Sequence, residues 1–455
     1  MTGNALRFGL VLAAAVTLAG AKPGSPSARD VPAPRPAQTD TVHFDLAGAT
    51  ARALDANPGL MAVAERARSA DHAADGSFRQ HFGDVEAVAW TSRYQDAQIL
   101  RPISRDLLVG GFDGLPFAQD QVHYGLTFEV PLFLGGKLLS SSRLARLKAD
   151  EAGALLQGSR WQVRANVTTV YSAIQALVAV TAAFRDNVAS LEATHVRLEL
   201  MVDQGKRPEL DLLKVTETLE EARAQLADAQ ADLTHASALL AALLDYPADQ
   251  TFDLDPLPDP PPALSADSTD WTGMVAEAST VVAAGLRVRQ AASGKHVARS
   301  EFLPKISVRG NLLEHTASSV TGSQETWELT LAASIPVFTG GRRVAAYQGA
   351  AAAERAADLA LRQTRLQQEA EIRGALARFH ASETALAAAR RRVAAAAEAA
   401  RIEGLRYDSG AGTIEDLLRA RTRAAAAEAS AAKSKGDVVG AAARINALVE
   451  REIVR

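Results

Sequence analysis

The chain has 455 residues, a formal net charge of −4 and 22% charged residues, and it contains no cysteine. Without a strongly basic stripe, nucleic acid is not expected as a partner, and the lack of cysteine excludes disulfides, cysteine zinc sites and thiol catalysis. Alanine is abundant while aromatic residues make up only 5%, a composition typical of closely packed helices rather than of one thick aromatic core.

The amino terminus has the layout of a secretory signal. Arg7 precedes an apolar run at residues 8–19, and small residues follow to Ala21, so residues 1–21 are predicted to direct export. Ala21 stands where a lipoprotein would carry cysteine, which excludes lipid attachment at that position. Residues 22–43, which begin with a stretch rich in Pro, Ala and Ser, are predicted to form a flexible extension. No later segment has about 18 uninterrupted apolar residues, so no helical membrane anchor is predicted.

Four strands are predicted from the alternation of apolar and polar side chains. Leu126, Phe128 and Val130, for example, alternate with Thr127 and Glu129. The predicted strands are residues 85–94, 122–131, 306–315 and 327–336. About ten alternating residues can cross an outer-membrane-type bilayer when the strand is tilted. Because about eight strands are the minimum for such a barrel, four strands predict a barrel shared between chains. The alternative is a soluble hairpin whose apolar face rests on helices.

After each strand pair the apolar period changes from two to the heptad of a coiled coil. Val163, Val167, Val170 and Ile174 are spaced alternately by four and three, and later leucines recur every seven residues. The predicted helices are residues 137–204, 208–246, 342–408 and 413–450. At about 1.5 Å per residue, each of the longer helices would be on the order of 100 Å long.

The second half of the chain repeats the first at a constant offset of 205 positions, at which residues 128–136 reappear in related form as residues 333–341. The sequence therefore predicts a first unit at 44–246, a Pro-rich linker at 247–263, a second unit at 264–450 and a tail at 451–455. The paired glycines are expected to let the chain turn from strand into helix. These junctions contain Pro131, Gly135, Gly136, Pro336, Gly340 and Gly341. The predicted fold class is mainly α with membrane β, in a duplicated strand-strand-long helix-helix unit.

No catalytic constellation is found, so the chain is not predicted to be an enzyme or to hold a cofactor or metal. The nine histidines are scattered without metal-ligand spacing. His195 lies on a heptad seam and is predicted to be a buried, hydrogen-bonded packing residue or an interface group rather than a metal ligand. His123 and Glu129 are predicted to lie on a solvated wall of the barrel. The paired glycines lack the Lys-Ser/Thr that a phosphate loop requires.

These features resemble the outer membrane efflux proteins, the TolC family of exit ducts, over about residues 44–450. The glycine junctions and residues 406–420 carry the most specific part of the likeness. The resemblance implies a homotrimer in the outer membrane of a Gram-negative bacterium, with a twelve-stranded β-barrel continued by a long α-helical periplasmic tunnel. It also implies contact with outer-membrane lipid, a periplasmic adaptor protein and an inner-membrane pump of the RND or ABC type.

The family closes its tunnel at the periplasmic tip, and the resemblance places such a gate at the two helical turns of this chain. The matching gate residues are Gly205, Asp211, Tyr407, Gly410 and Asp416. Departures from the family pattern are Gly412 for a tip arginine, Arg419 for a second tip acid and Val202 for the tyrosine of the first half. Asp211 and Asp416 are also explained as acids at helix starts, where the helix dipole stabilises them.

The function predicted from these observations is a passive exit duct of a tripartite efflux or type I secretion system. Two other classes stay open from the sequence. A periplasmic adaptor would also carry heptads, although an adaptor normally has one hairpin between β-rich halves. An exported coiled-coil scaffold would explain the helices but not the alternating strands.

Overall fold

The computed structural model describes residues 41–103, 105, 115–257 and 271–453. The predicted signal peptide at 1–21 and residues 22–40 of the predicted extension lie outside the described residues, as does most of the Pro-rich stretch. The chain forms two compact units. Among the described residues, one unit comprises 70–148 and 288–356, and the other comprises 41–69, 149–257, 271–287 and 357–453.

The elements follow one another in the same order in both halves. In chain order they are β1 (Val42–Phe44), α1 (Leu46–Ala56), α2 (Pro58–Arg79), β2 (Asp84–Ile99), β3 (Phe117–Leu134), α3 (Lys137–Asp203), α4 (Glu209–Leu244), β4 (Phe252–Leu254), α5 (Trp271–Glu277), α6 (Ser279–Ser300), β5 (Lys305–Ala317), β6 (Gln324–Ser334), α7 (Arg342–Asp408) and α8 (Ile414–Val449), with a short 3-10 helix at Gln80–Phe82.

The four long strands form one antiparallel sheet in the order β2-β3-β5-β6, so β2 and β6 are its edges. The strands are longer than the predicted intervals, with 16, 18 and 13 residues in β2, β3 and β5. The last strand, β6, has 11 residues and is shifted towards the amino terminus, since it begins at Gln324 rather than at the predicted residue 327 and ends at Ser334 rather than at the predicted residue 336. Proline has no N–H for the ladder, which disfavours strand continuation at Pro336. Pro131 lies within β3, and the β3–β5 register shifts immediately after it.

One face of this sheet is apolar and exposed. The β-ladder places Leu126 opposite Leu312, and Leu312 opposite Trp327. Trp327 is 75% exposed and Leu331 is 69% exposed, although both carry large apolar side chains. An apolar patch of this extent marks a surface that contacts lipid or protein. The soluble-hairpin alternative is wrong for the described residues, because it requires that face to rest on helices.

The long helices are two of 67 residues, α3 and α7, and two of 36 residues, α4 and α8. Their heptad positions are buried in several apolar clusters. Val167 of α3 and Leu240 of α4 are fully buried in one cluster, and Phe379 of α7 packs with Ile445 of α8 in another. Burying each such side chain contributes about 1.5–3 kcal/mol.

Two segments predicted to be irregular contain strands. The predicted extension included residues 42 and 43, and the predicted linker included residues 252–254, yet β1 and β4 pair in parallel. The physical reason is burial of aromatic rings: Phe44 packs against Phe252 and Tyr246, each at a ring-centroid distance of 6.3 Å. A strand of three residues is too short for an alternation of apolar and polar side chains to be recognised in the sequence.

Among the described residues, α3 is the one helix long and apolar enough to cross a membrane, with an 18-residue window of mean hydropathy 1.6. This differs from the sequence-based expectation that no later segment would qualify. One third of this apolar window is buried, and Val163, Val167, Tyr171 and Ile174 of α3 lie in one buried cluster.

Tyr171 should hold the β1–β4 ribbon in place, so Tyr171→Phe is expected to loosen it. The hydroxyl oxygen lies 3.0 Å from the Phe44 carbonyl oxygen and 2.7 Å from that of Asp255, and burial raises the pKa of this phenol to about 12, so it stays a neutral donor. Losing its hydrogen bond should lower the free energy of local opening by about 1 kcal/mol. Native-state hydrogen exchange at the amides of Val42 and Asp255 measures this, and equal loss of protection throughout α8 would contradict a local role.

Candidate functional site

Both long helices end at glycines with left-handed backbone geometry. Gly205 follows α3 with φ 69°, and Gly410 follows α7 with φ 77°. The Gly205 and Lys206 N–H groups donate to carbonyls three and five residues earlier, and those of Gly410 and Ala411 do the same. This is the Schellman pattern, which satisfies the last carbonyls of a helix and turns the chain.

The return helices begin differently in the two halves. Thr413 caps α8, where its hydroxyl oxygen accepts the Asp416 N–H at 3.1 Å and also lies 2.7 Å from Asp416 Oδ2. Pro208 was predicted within the first turn of α4 but occupies its N-cap, with φ −69° and ψ 144°. Proline has no side-chain oxygen to cap the helix, so Glu209 and Asp211 supply the negative charge that the helix start favours.

An apolar cluster lies beside these turns and joins the two halves of the chain. We call it the tip cluster. Its buried members are Val188, Leu191, Leu198, Val215, Leu219, Ala222, Tyr407, Ile414, Leu417 and Leu418. It draws residues from α3, α4, α7 and α8, so the four helix ends are fixed by common burial.

Tyr407 is the polar member of the tip cluster. It is 5% exposed, and its hydroxyl has no hydrogen-bond partner among the described residues. The Arg207 guanidinium lies over the Tyr407 ring at 4.8 Å from the ring centroid. Burial raises the pKa of Tyr407, with the Arg207 charge opposing and the Asp211 charge adding to this rise. Tyr407 and Asp211 are therefore close enough to interact electrostatically.

Ion pairs around the tip cluster also join the two halves. Arg197 contacts Asp408 at 3.4 Å, and Lys214 contacts Glu415 at 3.3 Å. Arg421 donates to Thr194 Oγ1 at 2.7 Å. Burial lowers the pKa of Arg421, yet a guanidinium keeps its charge in proteins.

The charge of Asp211 thus acts on Tyr407, while Asp416 contacts its own cap at Thr413. Gly205 and Gly410 shape the turns rather than contact the cluster. Sequence reasoning missed Arg207 and Arg421, because their partners lie far away in the chain and no period marks them. The sequence signal that could have identified Arg421 is its position next to an apolar heptad residue.

The strand-to-helix junctions repeat one backbone geometry. Gly135 and Gly136 have φ 65° and 80°, and Gly340 and Gly341 have φ 58° and 81°. Such angles strain any residue with a Cβ. A Cβ on Gly135 would also lie 2.5 Å from the Ser300 carbonyl oxygen.

One histidine, His123, is more buried than the sequence predicted. His123 was predicted on a solvated wall but is 6% exposed, because the β3–β5 register sets it against His315. Glu129 is exposed and pairs with Arg309 at 3.0 Å. His195 is half-buried, with Nε2 3.1 Å from Thr216 Oγ1. No group of three or more metal-binding side chains occurs among the described residues.

Comparison with known proteins gives one consistent set of matches. A family model described as outer membrane efflux protein matches residues 49–245 and 274–449. Among curated proteins, the outer membrane protein TolC of Salmonella enteritidis is 28% identical over 119 residues, which is 26% of this chain and 24% of TolC. The alignment thus spans about a quarter of that relative's length.

Solved structures with the same fold cover most of the chain. A membrane protein from Pseudomonas aeruginosa has a TM-score of 0.76 at 22% identity, over 89% of this chain and 93% of that one. The outer membrane protein VceC of Vibrio cholerae has a TM-score of 0.74 at 18% identity, over 89% and 95%. The Campylobacter jejuni CmeC outer membrane channel has a TM-score of 0.75 at 18% identity, over 89% and 85%.

Thr413→Ala is expected to destabilise the start of α8. It removes the side-chain oxygen that accepts the Asp416 N–H, which should cost about 1 kcal/mol. Hydrogen exchange at amides of the first α8 turn measures the loss. Thr413→Ser is the matched control, because serine keeps the capping oxygen, and equal loss in both variants would contradict the capping role.

Proposed function

The chain belongs to the outer membrane efflux protein family, an outer-membrane family of Gram-negative bacteria, and on this premise we propose that it is the passive exit duct of a tripartite efflux or type I secretion system. The observation that carries the proposal is the sheet with one exposed apolar face and two open edges. A sheet of this kind suits a wall between lipid and an aqueous channel.

The open edges support a barrel shared between chains. In hydrocarbon, every backbone N–H and C=O must find a partner within protein. Among the described residues of one chain, β2 and β6 each have a neighbouring strand on one side only. Pairing β6 of one chain with β2 of the next would satisfy both edges, and a homotrimer would then close twelve strands.

The opposite face of the sheet supports an aqueous lumen. Glu86, Thr127, Asn311 and Glu328 lie in one row across the four strands. All four side chains are polar, and they alternate along the strands with the apolar residues of the other face. Such a wall conducts polar cargo without a catalytic group, so energy and selectivity would come from partners.

We infer that the two halves of the chain are a duplicated unit. The long helices α3 and α7 have equal length, as do α4 and α8, and each element of the second set begins 205 positions after its counterpart. In the proposed trimer, six such helical hairpins would surround the periplasmic tunnel.

We place the periplasmic gate at the tip cluster and its turns, with Gly205, Asp211, Tyr407, Gly410 and Asp416 as its residues. The support is that α3, α4, α7 and α8 meet there and that two ion pairs beside the cluster join the two halves of the chain. A periplasmic adaptor, joined to an inner-membrane pump of the RND or ABC type, would act on these helix ends.

The adaptor and scaffold alternatives suit the structure less well. Both are water-soluble in most of their length, whereas Val85, Trp327 and Leu331 expose large apolar side chains on one sheet face. Leaving such a face in water costs about 25 cal/mol per Å² of apolar area. A lipid environment removes that cost.

The first test of the duct is assembly and conductance. The purified mature chain should be a trimer in detergent by native mass spectrometry, and it should give discrete conductance steps in planar lipid bilayers. Its outer-membrane location should also be evident on cell fractionation. Monomers that form no channel, or a soluble periplasmic pool, would reject the proposal.

The gate is tested at Asp416. If its carboxylate stabilises the closed tip by about 1–2 kcal/mol, Asp416→Ala should raise the open fraction in bilayer recordings on the order of 5–30-fold. Thr413→Ala is a matched control, because it breaks the same capping contact but keeps the charge. Glu428→Ala removes an exposed acid from the same helix. An unchanged closed state in Asp416→Ala would remove Asp416 from the gate.

A further inference from the structure

Two histidines from different halves of the chain meet on the polar face of the sheet. The register pairs His123 of β3 with His315 of β5. Their Nδ1 atoms lie 2.7 Å apart, and each residue is only 6% exposed. Two imidazole nitrogens at this distance must share one proton, because an N–H on one ring has to face a lone pair on the other.

The neighbours of the pair hold both rings in place. Trp90 of β2 stacks on His123 at a ring-centroid distance of 4.9 Å and an interplanar angle of 27°. Thr326 Oγ1 of β6 lies 2.7 Å from His315 Nε2. When His315 Nε2–H donates to this hydroxyl, the Nδ1 of His315 carries a lone pair directed at His123. A hydrogen bond at the outer nitrogen is the usual way in which proteins orient a metal-binding imidazole.

We propose that His123 and His315 form a binding site for a late first-row divalent metal ion, of which Zn²⁺ and Cu²⁺ are the representatives. Neutral imidazole suits these ions. The shared proton moves to Nε2 of His123, so that both imidazoles stay neutral, and the metal is bound by both Nδ1 atoms, with solvent in its remaining positions. Zinc–nitrogen bonds are about 2.0–2.1 Å, so tetrahedral binding separates the two Nδ1 atoms to roughly 3.3 Å, a small side-chain rotation from the distance observed.

The charge near the histidine pair should determine how tightly the pair binds a metal ion. The Arg101 guanidinium is near enough to His315 to act on it electrostatically, and Trp90 and Thr326 contribute no charge. A fixed cation opposes a bound divalent ion. The site is therefore expected to bind weakly, and more tightly in Arg101→Gln. This inverse effect separates a metal site from a structural histidine pair, whose integrity would not improve when a neighbouring cation is removed.

The decisive experiment is calorimetric titration of the full chain, purified in detergent without a histidine tag, with Zn²⁺. We expect one saturable site per chain. Either His123→Gln or His315→Gln should weaken it at least about tenfold, and Thr326→Val should weaken it about tenfold through the lost hydrogen bond to His315. His195→Gln is the matched control, because His195 lies outside the sheet and bonds Thr216. Circular dichroism and the oligomeric state verify that each variant is folded.

A second measurement needs no histidine variant. Cu²⁺ bound beside Trp90 should quench part of the tryptophan fluorescence, chelation should restore it, and Trp90→Phe should remove that quenched fraction. Saturable binding that both histidine variants retain, or no saturable binding at all, would overturn the proposal. These readouts are independent of conductance, so a failed duct and a failed metal site are distinguishable.

Discussion

At the two edges of the four-stranded sheet, the backbone N–H and C=O groups have no partner strand among the described residues. In the proposed duct one chain supplies an apolar face for lipid and a polar face for a lumen, but in the part of the chain that the structure describes β2 and β6 each have a neighbouring strand on one side only. In a bilayer the cost of unsatisfied N–H and C=O groups is several kcal/mol each, far above what any surface ion pair contributes. The same constraint explains why Pro131 in β3 coincides with a register shift, since proline removes a donor from the ladder.

The long helices meet a different requirement, because their backbones must lie close to one another over many turns. Gly436 of α8 faces the Ser172 carbonyl and the Ala176 side chain of α3, where a Cβ would lie 3.2 and 3.3 Å from them. Gly440 faces Thr169 one turn further along. Small residues at such positions let two helix backbones approach closely while interior packing remains dense. The abundance of alanine thus follows from helix contacts, and large side chains are concentrated in a few clusters.

The sequence predicts the elements in which a periodic apolar pattern continues over many residues. It misses the elements that depend on pairing between segments distant in the chain. Alternation at Leu126 and Phe128 and heptads at Val163 and Val167 are visible within a window of a few turns, so the strands and long helices could be predicted within a few residues. The β1–β4 ribbon could not, because three residues carry no period. The His123–His315 pair could not either, since it depends on the register between strands 192 positions apart.

At the proposed gate, the free-energy contributions of ion pairs and of buried side chains indicate which contacts hold the helix ends together. The Arg197 and Asp408 side chains are 59% and 62% exposed, and exposed pairs contribute about 0–1 kcal/mol. Leu191, Leu417 and Leu418 are buried, and each contributes about 1.5–3 kcal/mol. The apolar cluster therefore supplies most of the free energy, while the ion pairs fix which helix faces which. In the proposed duct, a partner that opens the tip would have to separate the helices enough to admit water to the tip cluster, because breaking the surface ion pairs alone changes the free energy little.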